Sequence, residues 1–205
     1  YSFKKEILTY GMLEQDIKLT HKAQRNFDAG YYKFSEYKSD DFNVINGYRI
    51  TTDILENASH NIWVFGSSVA LGTFADDSHT IESGLQRKLN GYFSESNKYN
   101  VINASNYTGN DIYELPAFFD RQPIKPEDIC VFIIDVPDLL MKEYDEIVDL
   151  SPYFARPHDY GEIFVDINHM TGKGYCAVAH KIFEIMCNKN MFEDEAVNTS
   201  SGRTD

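Results

Sequence analysis

Three short apolar runs constrain the fold of this chain most. Asn61–Phe65, Tyr99–Asn103 and Ile129–Ile134 are rich in Ile, Val and aromatic residues, and each stops at polar or turn-forming residues. Runs with little polar alternation suit strands covered on both faces, the usual condition of a parallel sheet. The intervals carry helical spacing. Ile81, Leu85, Leu89 and Tyr92 predict a helix over residues 79–93, with Asp77-Ser78 as its cap. Tyr175, Val178, Ala179, Ile182, Ile185 and Met186 predict a final amphipathic helix from Thr171. Asp111–Phe119 reads as a shorter helix disturbed by Pro116, Leu139–Tyr144 as at most two turns, and Glu146–Leu150 as a short strand. Strands alternating with helices predict an α/β fold, a three-layer α/β/α sandwich around a parallel, flavodoxin-like sheet. Chemistry in such sheets collects at the carboxyl ends of the strands. Ser68, Gly109 and Asp135 all fall just past predicted strands.

Three parts are expected: an N-terminal accessory segment over 1–42, the α/β domain over 43–190, and a polar tail or linker over 191–205. Phe3, Ile7, Tyr10, Leu13 and Ile17 predict an amphipathic helix over 3–28, which Gly30 would end. Residues 31–50 read as irregular, with Tyr31, Tyr32, Phe34, Tyr37, Phe42 and Tyr48 interleaved with charges. Such aromatics either pack on the domain core, the favoured reading, or form a sugar-binding platform. A chain of 205 residues is long enough for one domain with a proper core. Opening at Tyr1, it reads as a fragment in which no signal peptide is visible.

A net charge of −13 argues against a nucleic-acid partner, whose phosphates want a basic surface, and against an anionic membrane. No apolar run approaches the ~20 residues that span a bilayer. Cys130, Cys176 and Cys187 show neither a disulfide framework nor metal-ligand spacing. The last two would lie ~16 Å apart along one helix, too far to pair. Three reduced thiols fit a cytoplasmic or cytoplasm-facing setting.

Two segments can carry chemistry. Phe65-Gly66-Ser67-Ser68 places a serine in the turn after a strand, where its hydroxyl stands clear of the sheet and nearby N–H groups can receive an oxyanion. A serine needs a base to become a nucleophile. Asp166-Ile167-Asn168-His169 offers one: residues three apart share a face of a helical turn, so the carboxylate can orient the imidazole. The other histidines, His21, His60, His79, His158 and His180, have no convincing ligand partners and read as structural or exposed; His158 is a weaker candidate for lining the pocket. No metal or other cofactor is expected.

These segments resemble blocks of the SGNH (GDSL) hydrolases. Phe65-Gly66-Ser67-Ser68 looks like the first block, with Ser67 where the Asp of Gly-Asp-Ser usually stands. Val101-Ile102-Asn103-Ala104-Ser105-Asn106-Tyr107-Thr108-Gly109 looks like the second, with one extra residue before its Gly. Asp166 to Gly174 is close to the last block, Asp-x-x-His followed by a Gly-bearing helix start. Gly47-Tyr48-Arg49-Ile50 and the run from Asp77 to Gln86 resemble members associated with bacterial surface-polysaccharide modification. The resemblance spans roughly residues 43–190. It implies the SGNH hydrolase fold, Ser68 as nucleophile and oxyanion donor, Gly109 as a second donor, His169 as base and then acid, and Asp166 as its orienting carboxylate. The third block departs: Asp135-Val136-Pro137-Asp138 puts Pro137 where the family carries an oxyanion-donating Asn. Proline donates nothing, so Asn106 and Asn110 become candidate substitutes. The stretch from Asp138 to Asp166 is also short for the family.

The resemblance implies a serine esterase or O-acyltransferase acting on small acyl esters, acetyl foremost, of a carbohydrate. The alternative keeps the fold without catalysis, a glycan-binding domain within a larger protein; Pro137 and the aromatic segment favour it. A strict α/β-hydrolase, with Gly66-x-Ser68-x-Ala70 as its elbow and Asp135 or Asp138 as the acid, conflicts with the small size and the placement of Asp166. Nucleotide binding finds neither a P-loop lysine nor a Gly-x-Gly-x-x-Gly spacing after Phe65. Expected partners are an acylated small molecule or glycan, and other domains of a longer chain.

Overall fold

A computed structural model describes residues 24–26, 31–34, 36–105, 119–133, 164 and 169–192. Its centre is a five-stranded mixed sheet with helices, an α/β arrangement. The three apolar runs form three adjacent strands: β5 (His60–Gly66) lies between β6 (Tyr99–Asn103) and β7 (Ile129–Ile133), parallel to both. The register sets Val64 beside Asn103 and Gly66 beside Ile133, so the strand ends align along one edge.

The expectation of a wholly parallel sheet is corrected on the other side of β6. There a hairpin of β3 (Val44–Ile45) and β4 (Tyr48–Arg49) adds two antiparallel strands. Asn46 and Gly47 join them at φ 56° and 86°, the left-handed pair that a two-residue hairpin turn demands. Strands of two residues show no measurable period, which is why residues 31–50 read as irregular. A second hairpin pairs β1 (Gln24–Asn26) with β2 (Tyr31–Lys33), so the helix predicted over 3–28 does not extend through 24–26.

Beside β4, the edge of β6 is completed by a side chain. Gln86 accepts from the Val101 N–H at 2.8 Å and donates to the Tyr99 carbonyl at 3.1 Å, as a neighbouring strand would. Gln86 lies on α2 (Ile81–Phe93), after a short α1 (Ser68–Leu71); the C-terminal helix is α3 (Gly172–Asn188). A 3₁₀ turn over Asp77–His79 precedes α2. The cap of α2 is Thr80, whose side chain accepts from Ser83 N–H; Asp76 caps the 3₁₀ turn, and Asp77-Ser78 falls inside it. Thr80 is fully buried, so Thr80→Ala is expected to cost about 1–2 kcal/mol in a urea melt.

Helices α2 and α3 cover one sheet face. Ile62, Val64 and Val101 meet Ile81, Leu85 and Leu89 from α2 and Tyr175, Val178 and Ala179 from α3. Gly84 lets the helices close: a Cβ there would stand 2.9 Å from the Ala179 methyl. Trp63 and Phe65 point to the opposite face, where Phe119 and Ile124 pack on them. A third cluster joins Phe34, Phe42 and Val44 to Leu71 and Phe74, with Tyr37 against it. These aromatics of the 31–48 segment therefore pack inward, and their cluster crosses the expected boundary at 42/43. Phe192, expected in the tail, also packs in the main core. Among the described residues, no helix is long and apolar enough to cross a membrane.

Candidate active site

Gly66 ends β5 because nothing larger fits. A Cβ there would stand 2.5 Å from the Ile133 carbonyl oxygen and 2.6 Å from the Ala70 Cβ. Gly66→Ala should push β7 and α1 apart and cost about 1–3 kcal/mol in chemical denaturation. The chain then turns through Ser67, in extended conformation at φ −92° and ψ −151°, directly into α1. Ser67 makes no side-chain cap bond, although serine is a favoured cap. The first amides of a helix lack intrahelical acceptors, and here no capping hydroxyl takes them. Ser68 opens this turn, half-buried, with its hydroxyl and its own N–H at the strand edge.

His169 comes to Ser68 from 101 positions away: Nε2 lies 2.9 Å from Oγ. It sits between Phe164 and Met170, which form an isolated antiparallel bridge, and two residues before Thr171, the cap of α3. The Phe74 ring stands edge-on to the imidazole, with centroids 5.0 Å apart. Phe74 itself holds φ at 73°, uncommon for a bulky residue. It does so in a loop fastened from below. The Arg49 guanidinium donates to the Leu71, Gly72 and Ala75 carbonyls at 3.0, 2.8 and 2.6 Å and to Asp77 Oδ1 at 2.8 Å. Asn43 donates to the other Asp77 oxygen at 2.7 Å, and the Tyr175 hydroxyl donates to the Thr73 carbonyl at 2.8 Å. The elements that carry Ser68 and pack on His169 are thus held by buried polar bonds rather than by a long helix.

Of the expected site residues, the structure brings Ser68 and His169 together. Asp166, Gly109, Asn106 and Asn110 lie outside the described residues, as do Pro137, Asp135, Asp138 and His158. Another Ser, His and Asp meet at the 3₁₀ turn, in a different arrangement. Ser78 Oγ and the Asp76 carboxylate both approach Nδ1 of His79, at 3.0 and 2.8 Å. With hydroxyl and carboxylate on the same ring nitrogen, no relay through the ring exists. Burial pushes Asp76 up, but hydrogen bonds from Ser78 and His79 outweigh it and leave the carboxyl below its ordinary value. His169 instead presents Nε2 to the serine hydroxyl, the contact that base catalysis requires.

No family model, curated protein or solved structure matches this chain. Among the described residues, no three His, Cys, Asp or Glu side chains are placed to hold a metal ion. Burial pushes the Cys130, Cys176 and Cys187 thiols up, so none is the activated thiolate that cysteine nucleophiles require. A groove of about 630 Å³ between α2 and α3, lined by Arg87, Lys88, Tyr92, Cys176 and Phe183, includes neither Ser68 nor His169.

Sequence patterns gave Arg49, Phe74 and Glu82 no role at the site, although Glu82 carried a signal. Glu82 and Gln86 sit four apart among Ile81, Leu85 and Leu89, on the face that α2 buries. Polar residues in an apolar stripe point to buried polar partners.

Proposed function

We propose that this protein is a serine esterase or O-acyltransferase of the SGNH type, acting on small acyl esters of a carbohydrate, acetyl foremost. The 2.9 Å approach of His169 Nε2 to Ser68 Oγ carries the reading, because it pairs a strand-edge serine with a base. The resemblance supplies the rest: a three-layer sandwich, Asp166 behind His169, and oxyanion donors at Ser68 and Gly109.

In the mechanism, His169 takes the proton from Ser68 Oγ as the oxygen attacks the ester carbonyl. The negative charge that develops on the carbonyl oxygen is received by the Ser68 N–H and its neighbours. Collapse of the tetrahedral adduct expels the alcohol, which leaves with the proton from His169. Water, or an acceptor hydroxyl, then gives its proton to His169 and attacks the acyl-enzyme, and His169 returns that proton to Ser68 Oγ as the bond from Oγ to the acyl carbon breaks. Hydrolysis and transfer share every step but the identity of that second nucleophile. In the aromatic segment that favours the glycan-binding alternative, Phe34 and Phe42 are buried at 7% and 1% exposure and have no face to offer a sugar.

Intact-mass analysis after treatment with a fluorophosphonate tests the reading. A single adduct, mapped to Ser68 and blocked by mild denaturation, is the expected result. Folded protein that takes no adduct would sink it.

A further inference from the structure

Glu82 is fully buried on the first turn of α2, and nothing in the acyl-transfer steps above uses it. One of its oxygens, Oε2, accepts from the Asn103 side-chain amide at 3.0 Å; the other, Oε1, has no partner. Asn103 ends β6 and is itself buried. Its side-chain carbonyl accepts from the Ser105 N–H at 3.2 Å. The two contacts fix which way the amide faces, since a flip would set a donor against the Ser105 donor. Ala104 N–H and Ser105 Oγ both reach the Val64 carbonyl, at 3.0 and 3.2 Å, so this stretch is tied to β5 four residues before Ser68. Arg49 pairs with Asn103 in the sheet and grips the loop after α1. The chain leaving β6 and the chain leaving α1 are therefore both held from one buried polar layer.

We propose that Glu82 is a positioning residue for the serine chemistry, holding the Asn103 amide and through it the Ala104–Ser105 backbone at the sheet edge beside Ser68. The proposal rests on the esterase reading, in which the loop after β6 contributes to binding the oxyanion. A displacement of about 1 Å at a reacting centre can cost ~10²-fold in rate, so a distant anchor matters. Burial pushes the Glu82 carboxyl up to about 8, so at neutral pH it is mainly a neutral acid, which an amide side chain mimics in shape and accepting oxygen.

The test uses Glu82→Gln and Glu82→Leu, with Leu85→Ala as a control matched for lost stability. Turnover of p-nitrophenyl acetate and amide exchange at Ser105 are both read. Glu82→Gln should stay within about threefold of wild type, while Glu82→Leu should lose about ten- to a hundredfold in kcat with KM little changed. Exchange at Ser105 should speed by about tenfold or more in the leucine variant only. If Glu82→Leu does not fold, Glu82→Ala removes the same contact with a smaller side chain, leaves the Asn103 acceptor of the Ser105 N–H in place, and carries the same expectation. Unchanged kcat and exchange in the folded variant would overturn the proposal, and so would an equal kcat loss in Leu85→Ala. Wild-type protein inert to both ester and fluorophosphonate overturns the esterase reading itself. That result is visible before any variant is made, so the two failures are distinguishable.

Discussion

Replacing Ser68 by alanine is expected to lower turnover of a small acetyl ester by ~10⁴–10⁶-fold, and His169→Ala to do nearly as much. The two losses should not add. A nucleophile and the base that activates it act as one unit, so the double variant should be no slower than the worse single one. The geometry gives the reason. With Nε2 2.9 Å from Oγ, the imidazole is the base that takes the serine proton in the proposed mechanism, and a serine without a base is an ordinary alcohol. Steady-state kinetics on the three variants, with circular dichroism to show that each is folded, make the check. Independent, additive losses would mean that the pair does not work together. Neither variant should lose more than modest stability, because both side chains are half-buried at the site's mouth rather than in the core.

The second large effect concerns stability and pH. Glu82 has a folded pKa raised from the ordinary glutamate value to about 8, because burial disfavours its charged form. Between about pH 4.5 and 8 the folded state therefore binds a proton that the unfolded state has released. Stability must fall as pH rises through that window, and level off above it. Glu82→Gln removes the titration. The two proteins should be close in stability near pH 4, and the glutamine variant should pull ahead by about 3–5 kcal/mol near pH 9. Urea melts at four pH values between those limits measure the gap directly. A gap that does not change with pH would show that Glu82 is not buried as a neutral acid.

The strands of the parallel core were legible because each is a short run rich in β-branched and aromatic residues, and His60–Gly66, Tyr99–Asn103 and Ile129–Ile133 match the expected runs within a residue. Helix α3 was legible for a similar reason, with Thr171 capping a clean amphipathic stripe. The Asn46-Gly47 hairpin carried its turn signal, but its two-residue strands draw their stability from pairing with β6, which no local pattern displays. The buried polar layer was hidden by distance. Arg49 meets Asp77 across 28 positions and Glu82 meets Asn103 across 21, so neither residue announces its partner. The candidate site was half legible: a serine after a strand and a histidine before a helix were visible, while Phe74, which packs on the imidazole, was not.

The distance along the chain between Ser68 and His169 has a consequence for how activity is acquired. The Ser68–His169 pair forms only after two parallel crossovers have closed and α3 has docked on α2. Contacts of that sequence separation form slowly, since loop closure comes before any reward. On the proposed mechanism, a nascent or partly folded chain therefore exposes an inert alcohol rather than an indiscriminate acyl acceptor. In refolding experiments, covalent capture of Ser68 would serve as a clock for native topology, starting only after secondary structure is complete.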